Sequence, residues 1–160
     1  MLIRIANADE MLKLWGYSDL DRAPYTAKFF YRNISDGNAV FYTADLDGKL
    51  IGELYSFLSL DDNEFADGIT TAYLCAFRVR KEYRGQGIGH RLMETALTDL
   101  KLKGFRYATI GVDDERNERL YHSLGFTLYV KDCHNDPCDM DDDMHPVYVE
   151  TGFQLLKKEL

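Results

Sequence analysis

The sequence predicts a mixed α/β protein, one sheet of about six to seven strands with about four helices around it. Three observations predict it. Two β-rich runs meet at a tight-turn pair between residues 39 and 60. After residue 70, apolar strand-like runs alternate with stretches of helical spacing. The chain has 160 residues, 46% of them apolar, which suits a single domain spanning residues 1–160 with one sizeable core.

Taken in order, Leu2–Ala6 alternates apolar and polar residues as a half-buried strand does. Helical stretches are expected around Asp9–Trp15 and Thr26–Ile34. Ala39–Leu60 reads as a hairpin about Asp47-Gly48, a pair that tolerates the positive φ of a two-residue turn. Thr70–Val79 is rich in β-formers and reads as a central strand. Ile88, Leu92, Ala96 and Leu100, with Met93 and Leu97 beside them, make an apolar helix stripe. Lys101 and Lys103 suit the negative end of that helix, and Gly104 is a natural stop. Phe105–Val112 is a buried strand. Asp113 or Asp114 can cap a short helix to Ser123, which Gly125 ends. Phe126–Val130 is a further strand. Lys131–Pro146, with six aspartates, reads as a loop, and Val147–Leu156 as a last strand interrupted at Gly152.

The formal net charge of −8 argues against a nucleic-acid partner, which needs basic surface. The distribution says more. Arg78–Arg91 holds five cations and one acid, a net of +4, leaving −12 for the rest of the chain. Inside that basic segment stand three alternate glycines, Gly85, Gly87 and Gly89, directly before a helix. The first N–H groups of a helix have no partner within it, and glycines let an anion approach them. A diphosphate is the expected guest. The string needed for a nucleotide P-loop is absent, and His90 stands where a dinucleotide fingerprint needs its third glycine. Three cysteines, an odd number, favour a reducing cytoplasm. The N-terminal residues lack the apolar run of a signal peptide, and no segment is long enough to span a bilayer, so no membrane partner is expected.

Arg84-Gly85-Gln86-Gly87-Ile88-Gly89 matches R/Q-x-x-G-x-G/A at every fixed position. Leu120-Tyr121-His122-Ser123-Leu124-Gly125-Phe126 matches L-Y-x-x-L-G-F. With both motifs at this separation, the sequence resembles the GCN5-related N-acetyltransferase (GNAT) superfamily. The resemblance in element order covers most of the chain, and its specific motifs lie between Ala72 and Phe126. It implies a mostly antiparallel sheet with a central parallel pair that splays apart around acetyl-CoA, the co-substrate. Backbone N–H groups from Arg84 through Gly85, Gln86, Gly87, Ile88 and Gly89 to His90 would hold the pyrophosphate. The strand at Phe77, Arg78 and Val79 would pair with the pantetheine arm, and the Val79 amide would meet the thioester oxygen. Asn117 is counted with the residues that bind acetyl-CoA, and Tyr121 would protonate the departing thiolate.

The resemblance implies acetyl transfer to an amine by direct attack in a ternary complex, the acceptor being a small molecule or a peptide. It is compatible with a homodimer. The alternatives are a CoA-binding module without catalysis and an O-acyl or other acyltransferase. The sequence departs from the family pattern in places. Asp114 stands where the family often has asparagine, Asn117 where a small residue is usual, and Thr70–Val79 contains no acid to serve as base. Glu53, an acid within Asp61–Asp67, or bulk water is left for that role. Asp61–Asp67 and Asp132–Asp143 are expected at the acceptor end, where they would favour a cationic acceptor. Cys133, His134, Cys138 and His145 fit no zinc spacing, and no metal is expected there.

Overall fold

The computed structural model describes residues 1–160. Strands β1 (Leu2–Ala6), β2 (Ala39–Leu46), β3 (Lys49–Phe57) and β4 (Thr71–Val79) pair antiparallel in sequence order. β5 (Tyr107–Val112) lies parallel to β4, and β7 (Pro146–Glu159) inserts between β5 and β6 (Leu128–Met140), antiparallel to both. The sheet order is β1-β2-β3-β4-β5-β7-β6. Four α-helices accompany it: α1 (Ala8–Leu14), α2 (Tyr25–Ser35), α3 (Ile88–Leu102) and α4 (Glu115–Ser123).

Strand alternation divides the core into two layers. Tyr42, Leu54 and Leu74 face α3, whose Ile88, Leu92, Met93, Ala96 and Leu100 are buried as the stripe predicts. Phe41, Tyr55 and Tyr73 face the other way, toward Met11 of α1 and Phe30 of α2. The helix ends follow their chemistry. Asn7 and Glu10 form a reciprocal capping box on α1, and the Asp114 carboxylate accepts the Asn117 N–H to cap α4. Gly104 and Gly125 take φ of +94° and +98° just past α3 and α4, where glycine is favoured. No helix is long and apolar enough to cross a membrane.

The sheet departs from the sequence reading in one large way. Lys131–Pro146 is not a loop. β6 runs on to Met140, and only Asp141–His145 turns the chain into β7. Aspartates and Pro137 lower strand propensity, which conceals β6 from a reading based on composition. Two local features compensate. The β6–β7 register shifts three times, absorbing Pro137 and the Gly152 region, where φ is +72°. Thr26 of α2 then anchors the far end, its hydroxyl donating to Asp139 at 2.5 Å and accepting the Met140 N–H at 2.9 Å. The expected interruption at Gly152 is thus a bulge inside a continuous strand. At the hairpin tip, Asp141, Asp143 and His145 converge, but the Asp141 carboxylate already accepts the Asp143 and His145 N–H groups.

The β3–β4 connection is held by its own acid. Asp67 accepts the amides of Ile69, Thr70 and Thr71 and the Thr70 hydroxyl. Burial opposes ionisation there, yet these four donors outweigh it and hold the carboxyl well below the usual carboxylate range. A group depressed in this way stabilises the fold above its unfolded pKa of about 3.9 and loses that contribution as pH falls through the folded value. Asp67→Ala is expected to lower the unfolding free energy by about 1.5–3 kcal/mol at pH 7. The difference from wild type should shrink below about pH 4. Urea denaturation at several pH values measures both, and a pH-independent difference would contradict the assignment.

Candidate active site

The central pair is parallel over only four residue pairs, from Thr71↔Tyr107 to Leu74↔Ile110. Beyond Leu74, β4 stays on β3 while β5 stays on β7, so the two strands part. A bulge drives β4 away. Between the pairs Tyr55↔Cys75 and Glu53↔Arg78, β4 spends one residue more than β3, and Ala76 takes a φ of +51°. A wedge opens between the strands, with clefts on both faces of the sheet.

On the α3 face the wedge leads into a groove of about 640 Å³. Of the predicted residues, Phe77, Arg78, Val79, Arg84, Gly85, Gly87, Ile88, Gly89, His90, Asn117 and Tyr121 line it, and Gln86 completes the turn without lining the wall. The Arg80 N–H bonds the Ile51 carbonyl on β3, so by alternation the backbone of Val79 points away from β3, into the groove. The Val79 carbonyl accepts from Arg84 Nε at 2.9 Å, so this arginine ties the glycine turn to the strand.

The three glycines serve two different needs. Gly85 and Gly87 have φ of +78° and +80°, which side chains resist, and a Cβ on either would touch nothing in the protein. Gly89 has ordinary φ, but a Cβ there would come within 3.1 Å of the Phe77 ring. Gly87 caps α3 without a side chain, and the first intrahelical bond is Arg91 N–H to Gly87 O. The amides from Gly85 to His90 have no acceptor in the protein. Six donors on a curved backbone, at the positive end of a 15-residue helix, form an anion cradle. Arg116, on the first turn of α4, adds a cation that sequence reading missed, because its helix position alone does not show which way it faces.

Tyr121 is buried on α4, edge-on to Phe126, and lines the same groove. Burial, with Asp113 and Asp114 nearby, pushes its phenol up to about 12. It therefore carries its proton throughout the neutral range and can donate it.

The candidates for a base fare differently. Glu53 is buried and accepts from Trp15 Nε1 at 2.9 Å, the Tyr55 hydroxyl at 3.0 Å and Arg78 at 3.4 Å. These bonds make it the anchor that docks α1 onto the sheet. Asp62 and Glu64 both pair with Lys131 of β6, and Asp67 holds its own loop. The β3–β4 loop precedes β4 and the glycine turn follows it, so this acidic stretch leaves the chain at the opposite end of β4 from the cradle. The two acidic stretches still meet along β6, where Lys131 pairs with Asp62 and Glu64 next to Asp132. Only the β6–β7 stretch reaches the wedge, where Asp136 lines a small cleft on the α1/α2 face with Tyr73, Gly111, Asp113 and Phe153.

A parallel pair opening beside a glycine-built anion cradle defines the class as an acyl-CoA-type transferase fold, with one cleft on each face of its sheet. The chain belongs to the Acetyltransferase (GNAT) family, whose profile matches residues 5–126. N-alpha-acetyltransferase 30 of Schizosaccharomyces pombe is 32% identical over 90 residues, 48% of this chain and 60% of that protein. N-alpha-acetyltransferase 40 of Saccharomyces cerevisiae is 29% identical over 122 residues, 66% of this chain and 42% of that protein. The match thus spans about half the length of these relatives. A GNAT family acetyltransferase from Elizabethkingia anophelis, solved with acetyl-CoA bound, superposes with a TM-score of 0.63 at 18% identity, over 99% of this chain and 97% of that one.

Proposed function

We propose that the protein transfers the acetyl group of acetyl-CoA to a primary amine on a cationic acceptor, by direct attack within a ternary complex. The observation that carries this reading is the run of six unpartnered amides, Gly85 to His90, beside a strand whose outer edge is unpaired. The cradle takes the pyrophosphate, with Arg116 opposite. The freed edge of β4 takes the amide-bearing pantetheine arm as an added strand would be taken. This leads the thioester to the point where β4 and β5 part.

The chemistry then needs two further groups. As the amine attacks, negative charge develops on the thioester oxygen, and the Val79 amide is the donor aimed into the groove. Such a donor is worth about 2.7–4 kcal/mol in the transition state. When the C–S bond breaks, Tyr121 donates its phenolic proton to the thiolate. The amine enters from the opposite face of the sheet, past Asp113 and Asp136, because the α3 face is filled by the donor. An acceptor that carries further positive charge is favoured by the −12 of the chain outside Arg78–Arg91.

Gly87→Val is expected to weaken acetyl-CoA binding at least tenfold, or about 1.4 kcal/mol, because valine resists the φ of +80° that shapes the cradle. Calorimetric titration of the folded variant checks this, and unchanged affinity would place the phosphates elsewhere. Tyr121→Phe should lower kcat by about 10²–10⁴-fold with acetyl-CoA affinity preserved, since the phenol acts only as the thiolate leaves. A variant with wild-type kcat would leave Tyr121 as packing. The function itself is tested by release of free CoA thiol with a panel of spermidine, lysine peptides, peptides with free α-amino groups, neutral alcohols and acidic amino acids. Cationic amines are expected to lead, with a KM that rises with salt. Preference for an acidic or neutral acceptor, or a KM indifferent to salt, would overturn the acceptor assignment.

A further inference from the structure

The cleft on the α1/α2 face holds about 160 Å³, room for an amine and its first few carbons. Its walls come from four elements that are distant in sequence. Tyr73 arrives from β4, Gly111 and Asp113 from the end of β5, Asp136 from β6, and Val149 and Phe153 from β7. Gly111 keeps it open, since a Cβ there would meet the Phe153 ring at 3.1 Å and the Tyr73 hydroxyl at 3.3 Å.

Two of these residues are unusual in what they lack. Tyr73 is only 5% exposed, yet its hydroxyl makes no hydrogen bond within the protein and is not sealed from solvent. Asp136 is half-buried and forms no ion pair. Its carboxylate accepts the Cys138 N–H at 3.0 Å, the Asp139 amide also favours its ionised form, and the charge that acts on it is another acid, Asp139. A carboxylate drawn part-way out of water loses hydration that no cation here replaces. By contrast, the one buried acid, Glu53, is matched by Trp15, Tyr55 and Arg78.

We propose that Asp136 receives the acceptor's ammonium group and takes its proton, making it the catalytic base of the transfer. The inference rests on the proposed acetyl transfer and names the residue that transfer requires. The steps balance. The ammonium gives one proton to the Asp136 carboxylate, and the freed nitrogen lone pair forms the C–N bond at the thioester carbonyl. The C–S bond breaks, and Tyr121 protonates the CoA thiolate. The nitrogen's second surplus proton restores the Tyr121 phenol, and Asp136 releases its proton to water. The Tyr73 hydroxyl, free to accept from an N–H, orients the ammonium against the carboxylate.

The surroundings suit the role. Desolvation, reinforced by Asp139, pushes the Asp136 carboxyl above the usual carboxylate range, which narrows its gap to an amine. The titratable groups that face it are Tyr73 of β4, Asp113 after β5, and Cys138 and Asp139 of β6, with no cation among them.

The experiment compares Asp136→Asn with wild type, using the panel amine that wild type acetylates fastest. Asparagine can still accept the Cys138 N–H, and acetyl-CoA affinity by titration reports whether the variant is folded. With Asp136 as base, wild-type kcat/KM for the amine should be flat over about pH 7–9, between the carboxyl and amine pKa values. Asp136→Asn should be about 10²-fold slower or more near pH 7. It should recover about tenfold per pH unit as solution supplies neutral amine. Asp136→Glu, which keeps a carboxylate, should keep the flat profile. A wild-type rate in Asp136→Asn, or a deficit constant with pH, would overturn the assignment while leaving acetyl transfer intact. Absence of CoA release by wild type with every amine would overturn the transfer itself. Should Asp136→Asn lose acetyl-CoA binding, the wild-type profile decides, and a tenfold rise per pH unit over that range would refute a protein base.

Discussion

The structure turns on the early end of the β4–β5 ladder. A parallel pair of four residues is a weak join, and parallel strands usually need cover on both faces. Here the cover is provided by α3 and α4 on one side, and by α1, α2 and the folded-over β6–β7 hairpin on the other. Once the bulge at Ala76 bends β4 from its neighbour, the backbone groups on its outer edge have no strand to bond. An unpaired edge is a liability on the surface. At the centre of a covered sheet it becomes a place for an extended, amide-bearing ligand.

Charge is distributed about that opening in opposite senses. The groove on the α3 face combines free amides, the positive end of α3 and the cations Arg78, Arg84 and Arg116 against one acid, Asp114. The cleft on the other face has Asp113 and Asp136 and no cation. On the proposed function, an anionic donor and a cationic acceptor would be drawn to different faces of one sheet and meet where β4 and β5 part. Several other carboxylates near the sheet are engaged. Asp67 is held by amides and a hydroxyl, Asp62 and Glu64 by Lys131, and Glu53 by Trp15, Tyr55 and Arg78. Asp136 stands apart because it reaches the wedge with a backbone amide as its partner and no counter-charge.

Much of this was legible in the sequence. The two-residue alternation of Leu2–Ala6, the turn at Asp47-Gly48, the stripe from Ile88 to Leu100 and the cap at Asp114 are local signals, each set by chemistry within a few residues of itself. The structure carries the turn, the stripe and the cap where they were read; Leu2–Ala6 is a strand, but with Leu2 and Ile5 both exposed its burial does not alternate. The two motifs are local as well, because a glycine turn and a helix start must be contiguous to cradle a phosphate. All but one of the residues they nominate line the groove.

Tertiary structure alone decided the make-up of the cleft on the α1/α2 face. β6 is rich in aspartate and contains Pro137, so its strand character comes from pairing with β7 and from Thr26 of a distant helix, not from its own propensity. That docking carries Asp136 across the sheet to Tyr73, 63 positions earlier in the chain. Packing also surrounds Glu53, one of the options the sequence left open for the base, with Trp15, Tyr55 and Arg78. Periodicity reports which face of its own element a residue occupies. Which residues of other elements share that face is set by how the elements pack, and that packing alone brings together the residues of the cleft on the α1/α2 face.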